Sequence, residues 1–191
     1  MAGELIVVSG PSGSGKTTIA RTLLRDIPSL RFSVSATTRQ IRMGEREGTD
    51  YYYLSREEFQ RRVAAGEFVE WEEVYGNLYG TLRAEVDGAL VRGRHLLFDV
   101  DVKGALSIKK RYPVALLLFI RPPSRETLEA RLRARSTEDE ATVQRRLART
   151  DMELELGEQF DHRVVNDVLD RAIAETKEIV EHHLQLKERR I

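Results

Sequence analysis

Apolar residues gather along this chain in short unbroken runs and in helical stripes, and the two patterns alternate. Leu5 to Val8 is a β-branched run that stops at a glycine-rich turn, and beyond Lys16 the spacing of Ile19, Leu23 and Leu24 is helical. His95 to Val102 is apolar until Asp99 and Asp101; Val114 to Ile120 is apolar throughout and ends at Pro122 and Pro123. Runs without polar alternation suit strands buried on both faces of a parallel sheet. Ser55 to Glu58 and Thr137 to Glu140 have the spacing of a helix capping box, and Ser124 can cap a helix carrying Leu128 and Leu132. A last amphipathic helix is predicted from about Leu169 to Leu186, with Ile173, Ile179 and Val180 turned inward. The fold class expected is α/β, a parallel sheet flanked by helices.

Two stretches break this rhythm. Residues 33–93 turn aromatic and polar, with Tyr51, Tyr52, Tyr53, Trp71, Tyr75 and Tyr79 among Arg, Glu and Gly, and short alternating strands are predicted there. This reads as a small inserted subdomain of mixed α/β structure, with Tyr52, Tyr53 and Trp71 assigned to its packing. Arg131 to Arg149 is dense in arginine and has no clear apolar face before Leu147, which predicts a mobile, solvent-facing helical lid. The boundaries expected are a core of 1–32, 94–130 and 157–191, an insertion of 33–93, and a lid of about 131–156.

Bulk composition narrows the function classes. The 191 residues suit a single domain with an insertion. Lys and Arg total 31 and so do Asp and Glu, so net charge supports no basic nucleic-acid coat, and phosphate binding must come from local clusters. The absence of cysteine excludes a disulfide framework and a thiol nucleophile, and it fits a reducing compartment, with the cytoplasm as the expectation. Gly10, Pro11 and Lys16 break the first apolar run before it could form a signal core or span a bilayer, so no membrane role is expected. His95, His162, His182 and His183 show no metal-ligand spacing.

Between the first strand and helix stands Gly10-Pro11-Ser12-Gly13-Ser14-Gly15-Lys16-Thr17, the P-loop pattern in the strand-to-helix context its mechanism requires. Glycines let the backbone curl so that N–H groups point at phosphates, and the helix N-terminus adds positive potential. This predicts an ATP site from Gly10 to Thr18, with Lys16 bridging the β- and γ-phosphates and Thr17 ligating Mg²⁺. Asp99 and Asp101, at the carboxyl end of a predicted strand, can hold a Mg²⁺-bound water or an acceptor group; the plainer role is a cap at the strand end.

The insertion carries Ser35-Ala36-Thr37-Thr38-Arg39-Gln40-Ile41-Arg42, Gly48-Thr49-Asp50-Tyr51, Phe68-Val69-Glu70-Trp71 and Gly76-Asn77-Leu78-Tyr79-Gly80-Thr81. With the P-loop, Asp99-Val100-Asp101, the Arg131 and Arg135 pair, and Val164-Val165-Asn166-Asp167, these segments resemble the guanylate kinase family in order and spacing over nearly the whole chain. The resemblance implies a P-loop kinase core, a GMP-binding insertion and a lid, with ATP and GMP or dGMP as substrates. It implies that Arg39, Arg42, Tyr51 and Tyr79 bind the GMP phosphate, that Ser35, Glu70 and Thr81 face guanine with Asp99 at the same site, and that Asn166 sits near adenine. Arg131, Arg135 and Arg146 would meet the ATP phosphates. The residue chemistry agrees, since guanidinium forks and tyrosine hydroxyls suit phosphate oxygens. One carboxylate can also accept from N1–H and N2–H₂ of guanine, two donors that adenine lacks.

Plainer roles stand beside these. Asn166 can instead cap the last helix, and Arg133, Arg145 and Arg149 read as solvated helix charges. Lys103 and Leu78 depart from the commonest family pattern, which touches the shape of the acceptor pocket. Two other function classes fit parts of the sequence. One is a peptide-binding guanylate-kinase-like module, although such modules usually lack an intact P-loop; the other is a P-loop kinase for a different small phosphorylated acceptor.

Overall fold

The computed structural model describes residues 3–74, 76–135 and 140–188. Its elements are, in order, β1 (Leu5–Ser9), α1 (Lys16–Asp26), β2 (Leu30–Phe32), β3 (Ala36–Thr37), β4 (Tyr52–Tyr53), α2 (Arg56–Ala64), β5 (Phe68–Val74), β6 (Asn77–Leu82), α3 (Arg83–Val91) and β7 (His95–Asp99). These are followed by α4 (Val102–Arg111), β8 (Leu116–Arg121), α5 (Arg125–Arg135), α6 (Glu140–Gly157), β9 (His162–Val165) and α7 (Leu169–Glu188).

Strands β2, β7, β1, β8 and β9 lie side by side in that order, all parallel. Side chains of β1 alternate between two cores. Ile6 and Val8 meet Leu23, Leu118, Ile120 and Val180 on the α1 and α7 face, while Leu5 and Val7 meet Val86, Phe98, Ile108 and Leu117 on the α3 and α4 face. Burial on both faces is why these runs carry no polar alternation. Each fully buried Leu, Ile or Val contributes about 1.5–3 kcal/mol through water released from its surface. The inward residues of the predicted last helix behave as expected: Val180 is buried, and Ile173 and Ile179 pack against the same core.

Several boundaries differ from the sequence reading. The apolar run at His95 is not all strand: it ends at Asp99, and the Asp101 carboxylate accepts a 2.7 Å bond from the Gly104 N–H to start α4. Val114 lies outside β8 and is exposed. The edge strands β2 and β9 had no apolar run to announce them, because their outer side chains are polar or exposed and pairing with β7 and β8 fixes their conformation.

A second sheet, ordered β4-β3-β6-β5, forms in the inserted region. Its core is Ala36, Phe59, Leu78 and Leu82, with Phe59 stacked on Phe68 at 4.3 Å between ring centroids. Leu78 therefore serves this core and not the cleft. Ser55 caps α2 by accepting from the Glu58 N–H, as expected, but the Glu58 carboxylate pairs with Arg61 and Arg62. Of the aromatic residues assigned to packing, only Tyr52 joins the core: Trp71 is 49% exposed, and Tyr53 gives its hydroxyl to Glu45.

Ser124 accepts from the Thr127 N–H at the start of α5, and Leu128 and Leu147 make a small core between α5 and α6. The stretch expected to face solvent is thus partly docked, with Thr150 and Glu153 of α6 buried. Thr137 and the side chains of Leu132, Arg135 and Arg146 lie outside the described residues. Among the described residues, no helix is long and apolar enough to cross a membrane.

Leu118→Ala should lower the unfolding free energy by about 2–5 kcal/mol through the cavity it leaves. Val114→Ala should change it by no more than about 0.5 kcal/mol. Urea denaturation of the two variants checks this, and equal losses would contradict the assignment of the core.

Candidate active site

The parallel registers bring Val8 beside Asp99 and Ser9 beside Phe119, so the carboxyl ends of β1, β7 and β8 open on one edge. There the loop after β1 folds tightly. A Cβ on Gly10 would lie 2.1 Å from the Ile120 carbonyl oxygen, so that position requires glycine on space as well as on its φ of +149°; Gly15 requires it on its φ of +92°, and a Cβ there would also crowd Asn166 Nδ2 at 2.3 Å. The Ser14 N–H donates to Pro11 O at 3.1 Å, and the buried Asn166 amide donates to Ser14 O at 2.7 Å, clamping the loop from β9. Asn166 is therefore a strut for the loop and not a cap of α7. Its own carbonyl accepts from Arg131 Nη2 at 3.0 Å, which ties α5 to the same point. Helix α1 has no acidic residue in its first turn, so its N-terminal potential stays available to an anion. At its start Thr17 Oγ1 donates to Asp99 Oδ2 at 2.7 Å.

A cleft of about 330 Å³ opens between this loop and the second sheet, lined by Gly10, Ser12, Lys16, Ser35, Tyr51, Glu70, Glu72, Tyr79, Asp99, Asp101, Arg149 and Glu153 among others. It adjoins a recess lined by Thr17, Arg39, Arg42, Glu45, Tyr51, Tyr79 and Asp99. The recess is aromatic, with Arg21, Arg39 and Arg42 among the carboxylates of Glu45, Asp50 and Asp99. Arg39 forks onto Glu45 at 2.7 and 3.0 Å, and Glu45 also accepts from Tyr53 Oη at 2.7 Å and from the Arg42 N–H at 2.8 Å. The Arg39 guanidinium thereby holds Glu45 down to about 2, while burial and the Glu45 contact push the Tyr53 phenol up to about 12. Arg39 also lies 5.3 Å from the Tyr51 ring centroid, and Tyr51 meets Tyr79 edge to face at 6.0 Å. The Arg42 side chain is exposed at the mouth.

Deeper in the cleft, the cross-strand pair Glu70 and Thr81 is joined by a 2.6 Å bond from Thr81 Oγ1 to Glu70 Oε1. Burial, followed by the nearby negative charge of Asp101, lifts Glu70 to about 7 against the bond from Thr81. Gly104 lets α4 approach this carboxylate, since a Cβ there would lie 3.0 Å from Glu70 Oε2.

The profile of the guanylate kinase family matches residues 2–183. The chain belongs to the guanylate kinase family. It is 49% identical over 178 residues to a guanylate kinase of Symbiobacterium thermophilum, covering 93% of this chain and 84% of the relative. It is 51% identical over 172 residues to one of Chlorobaculum tepidum, covering 90% and 88%. The crystal structure of guanylate kinase from Anaplasma phagocytophilum aligns with a TM-score of 0.73 at 33% identity, over 97% of this chain and 86% of that one. TT1252 from Thermus thermophilus, at 15% identity, 96% and 99% coverage and a TM-score of 0.55, shares the fold.

Of the residues singled out in the sequence, the structure brings Gly10, Ser12, Lys16, Ser35, Tyr51, Glu70, Tyr79 and Asp99 to the cleft, and Thr17, Arg39 and Arg42 to the adjoining recess. Thr81 is buried behind Glu70. Pro11, Gly13, Ser14 and Gly15 form the loop itself; Thr18 is exposed on α1 outside both linings. Arg131 reaches the backbone of Asn166, and Arg135 and Arg146 lie on α5 and α6 with side chains outside the described residues. Arg149 overturns its reading as a solvated charge, because it enters the cleft and pairs with Glu72, Asp101 and Glu153. Glu72 was legible as the same-face neighbour two residues beyond Glu70. Glu153 was legible only as a helical neighbour of Arg149, and Glu45 had no signal beyond its place near Arg39.

The folded chain binds the Glu70 proton more tightly than the unfolded chain does. That contribution is present in full below about pH 4.5 and is lost as pH rises through about 7. Between pH 4.5 and 8, ligand-free wild type should lose about 1–3 kcal/mol of stability that Glu70→Gln does not lose. Parallel urea-denaturation profiles for the two proteins would contradict the raised carboxyl.

Proposed function

We propose that the protein transfers the γ-phosphoryl group of MgATP to the α-phosphate of GMP, and of dGMP, as a cytoplasmic step of purine nucleotide metabolism. The observation that carries this reading is the Glu70–Thr81 pair in a cleft that opens onto Lys16 of the P-loop. An ionised Glu70 accepts together from N1–H and N2–H₂ of guanine, whereas adenine would leave the carboxylate unpaired in a partly buried site. Family membership supports the same choice.

Residues 33–93 are assigned to acceptor binding and about 131–156 to the lid. Arg39, Arg42, Tyr51 and Tyr79 take the GMP phosphate, and Ser35 joins Glu70 and Thr81 at the base. Glu45 holds the Arg39 fork in place before the acceptor arrives, so less rotamer freedom is lost on binding. Gly10 to Thr18 receive the ATP phosphates, and Asn166 keeps the loop curled. Thr17 Oγ1 and Asp99 Oδ2 are hard oxygen donors of the kind Mg²⁺ prefers, and that ion commonly fills its remaining positions with water and phosphate oxygens. Thr17 would hold it directly and Asp99 through water. When bound, the ion offsets negative charge on the phosphates.

An anionic oxygen of the GMP phosphate attacks the γ-phosphorus in line, the bond to the β–γ bridging oxygen breaks, and ADP leaves as GDP forms. The attacking oxygen is already ionised, so no strong general base is needed. Lys16 and the arginines Arg131, Arg135 and Arg146 offset the charge that spreads over the transferring group.

A coupled assay with ATP and GMP, dGMP, AMP, CMP or UMP tests the reading: turnover is expected with the two guanine nucleotides, and preference for any other acceptor would refute it. Lys16→Ala should lower kcat by about a thousandfold or more with an unchanged circular dichroism spectrum. Glu70→Ala should raise KM for GMP about a hundredfold while that for ATP moves less than about twofold.

A further inference from the structure

The cleft is too acidic for an anionic acceptor unless something compensates it. Among the described residues, Glu70, Glu72, Asp99, Asp101 and Glu153 line it with Lys16 and Arg149 as the cations. A nucleoside monophosphate adds about two further negative charges. Lys16 belongs to the triphosphate side, and Arg39 and Arg42 stand in the recess assigned to the acceptor phosphate; among the described residues Arg149 is the cation placed beside the carboxylates of the guanine pocket.

Arg149 is built into that position. Nη2 lies 2.6 Å from Asp101 Oδ2 and 3.1 Å from both oxygens of Glu72, and Nε donates to Glu153 Oε1 at 2.9 Å. The three carboxylates come from three places: Glu72 from β5 of the inserted sheet, Asp101 from the start of α4, and Glu153 from one turn further along α6 itself. Glu153 is buried against its own helix and fixes the direction in which the guanidinium leaves α6. Nη2 is thus held between the inserted sheet and the core. Asp101 also sits close enough to Glu70 for its charge to bear on that carboxyl.

We propose that Arg149 is a positioning residue for the acceptor, joining α6 to both walls of the guanine pocket and neutralising Glu72 and Asp101 there. This rests on the assignment of that pocket to GMP. Without Arg149 the two carboxylates repel the incoming phosphate and each other, and α6 loses its fastening over the acceptor side. The triphosphate side keeps its own supports, the loop and Asn166, although Glu153 also feels the charge of Lys16.

Kinetics of Arg149→Ala, Arg149→Lys, Glu72→Gln and the Arg149→Ala/Glu72→Gln double variant test this, with wild-type turnover of GMP as the control for the pocket assignment. Arg149→Ala should raise KM for GMP about tenfold or more and KM for ATP less than about twofold, about the effect of leaving partly buried charges unpaired. Arg149→Lys should recover part of the loss. Adding Glu72→Gln should also recover part of it, since one of the stranded charges is then gone. An unchanged KM for GMP in Arg149→Ala would overturn the proposal, as would equal rises for both substrates or strictly additive losses in the double variant. If Arg149→Ala does not fold, Arg149→Lys and Glu72→Gln decide: a wild-type KM for GMP in both would overturn it. Failure of wild type to use GMP would instead refute the pocket assignment.

Discussion

The site depends on the register in which β1 pairs with β7 and β8. Those three buried strands end together, so the glycine loop after β1, Asp99 after β7 and the backbone at Ile120 meet at one edge of the sheet. A parallel sheet buried on both faces has little freedom to slip, because a shift of one residue would turn each apolar side chain toward the opposite core. That rigidity is transmitted to the loop. Gly10 packs against the Ile120 carbonyl and Gly15 against Asn166, so the curl is fixed from both sides before any phosphate is bound.

Charge is managed locally, as a net charge of zero requires. The recess on the α1 side concentrates Arg39 and Arg42 and lowers the cost of holding Arg39 by pairing it with Glu45. Among the described residues the neighbouring cleft holds more carboxylates than cations, and Arg149 gathers Glu72 and Asp101 on one guanidinium. The reading of guanine proposed for Glu70 needs a carboxylate partly stripped of water, and that stripping lifts Glu70 to about 7. In the proposed function, selectivity for the base and sensitivity to pH have one physical origin.

Helix α6 links these regions. Its Leu147 closes a small core with Leu128 of α5, and two residues later Arg149 reaches the cleft. Arg131 on α5 meets the carbonyl of the residue whose side chain braces the glycine loop. The helices read from sequence as a solvent-facing lid thus touch the brace of the glycine loop through Arg131, and the inserted sheet and the start of α4 through Arg149.

The sequence by itself determined the α/β class, the three central strands, the strand-loop-helix around Lys16 and the family. Each of these rests on local spacing: unbroken apolar runs, glycines where a Cβ would collide, and motifs that keep their order along the chain. Only the tertiary structure decided that β2 and β9 are strands, since three or four half-polar residues gain extended structure from a neighbour and not from their own pattern. It also decided which acid caps α4, that Asn166 braces the loop, and that Trp71 faces solvent. Arg149 shows the reason most plainly. Charged residues on a helix look alike in sequence, and what separates Arg149 from its neighbours is two carboxylates 48 and 77 positions away that folding brings to its tip.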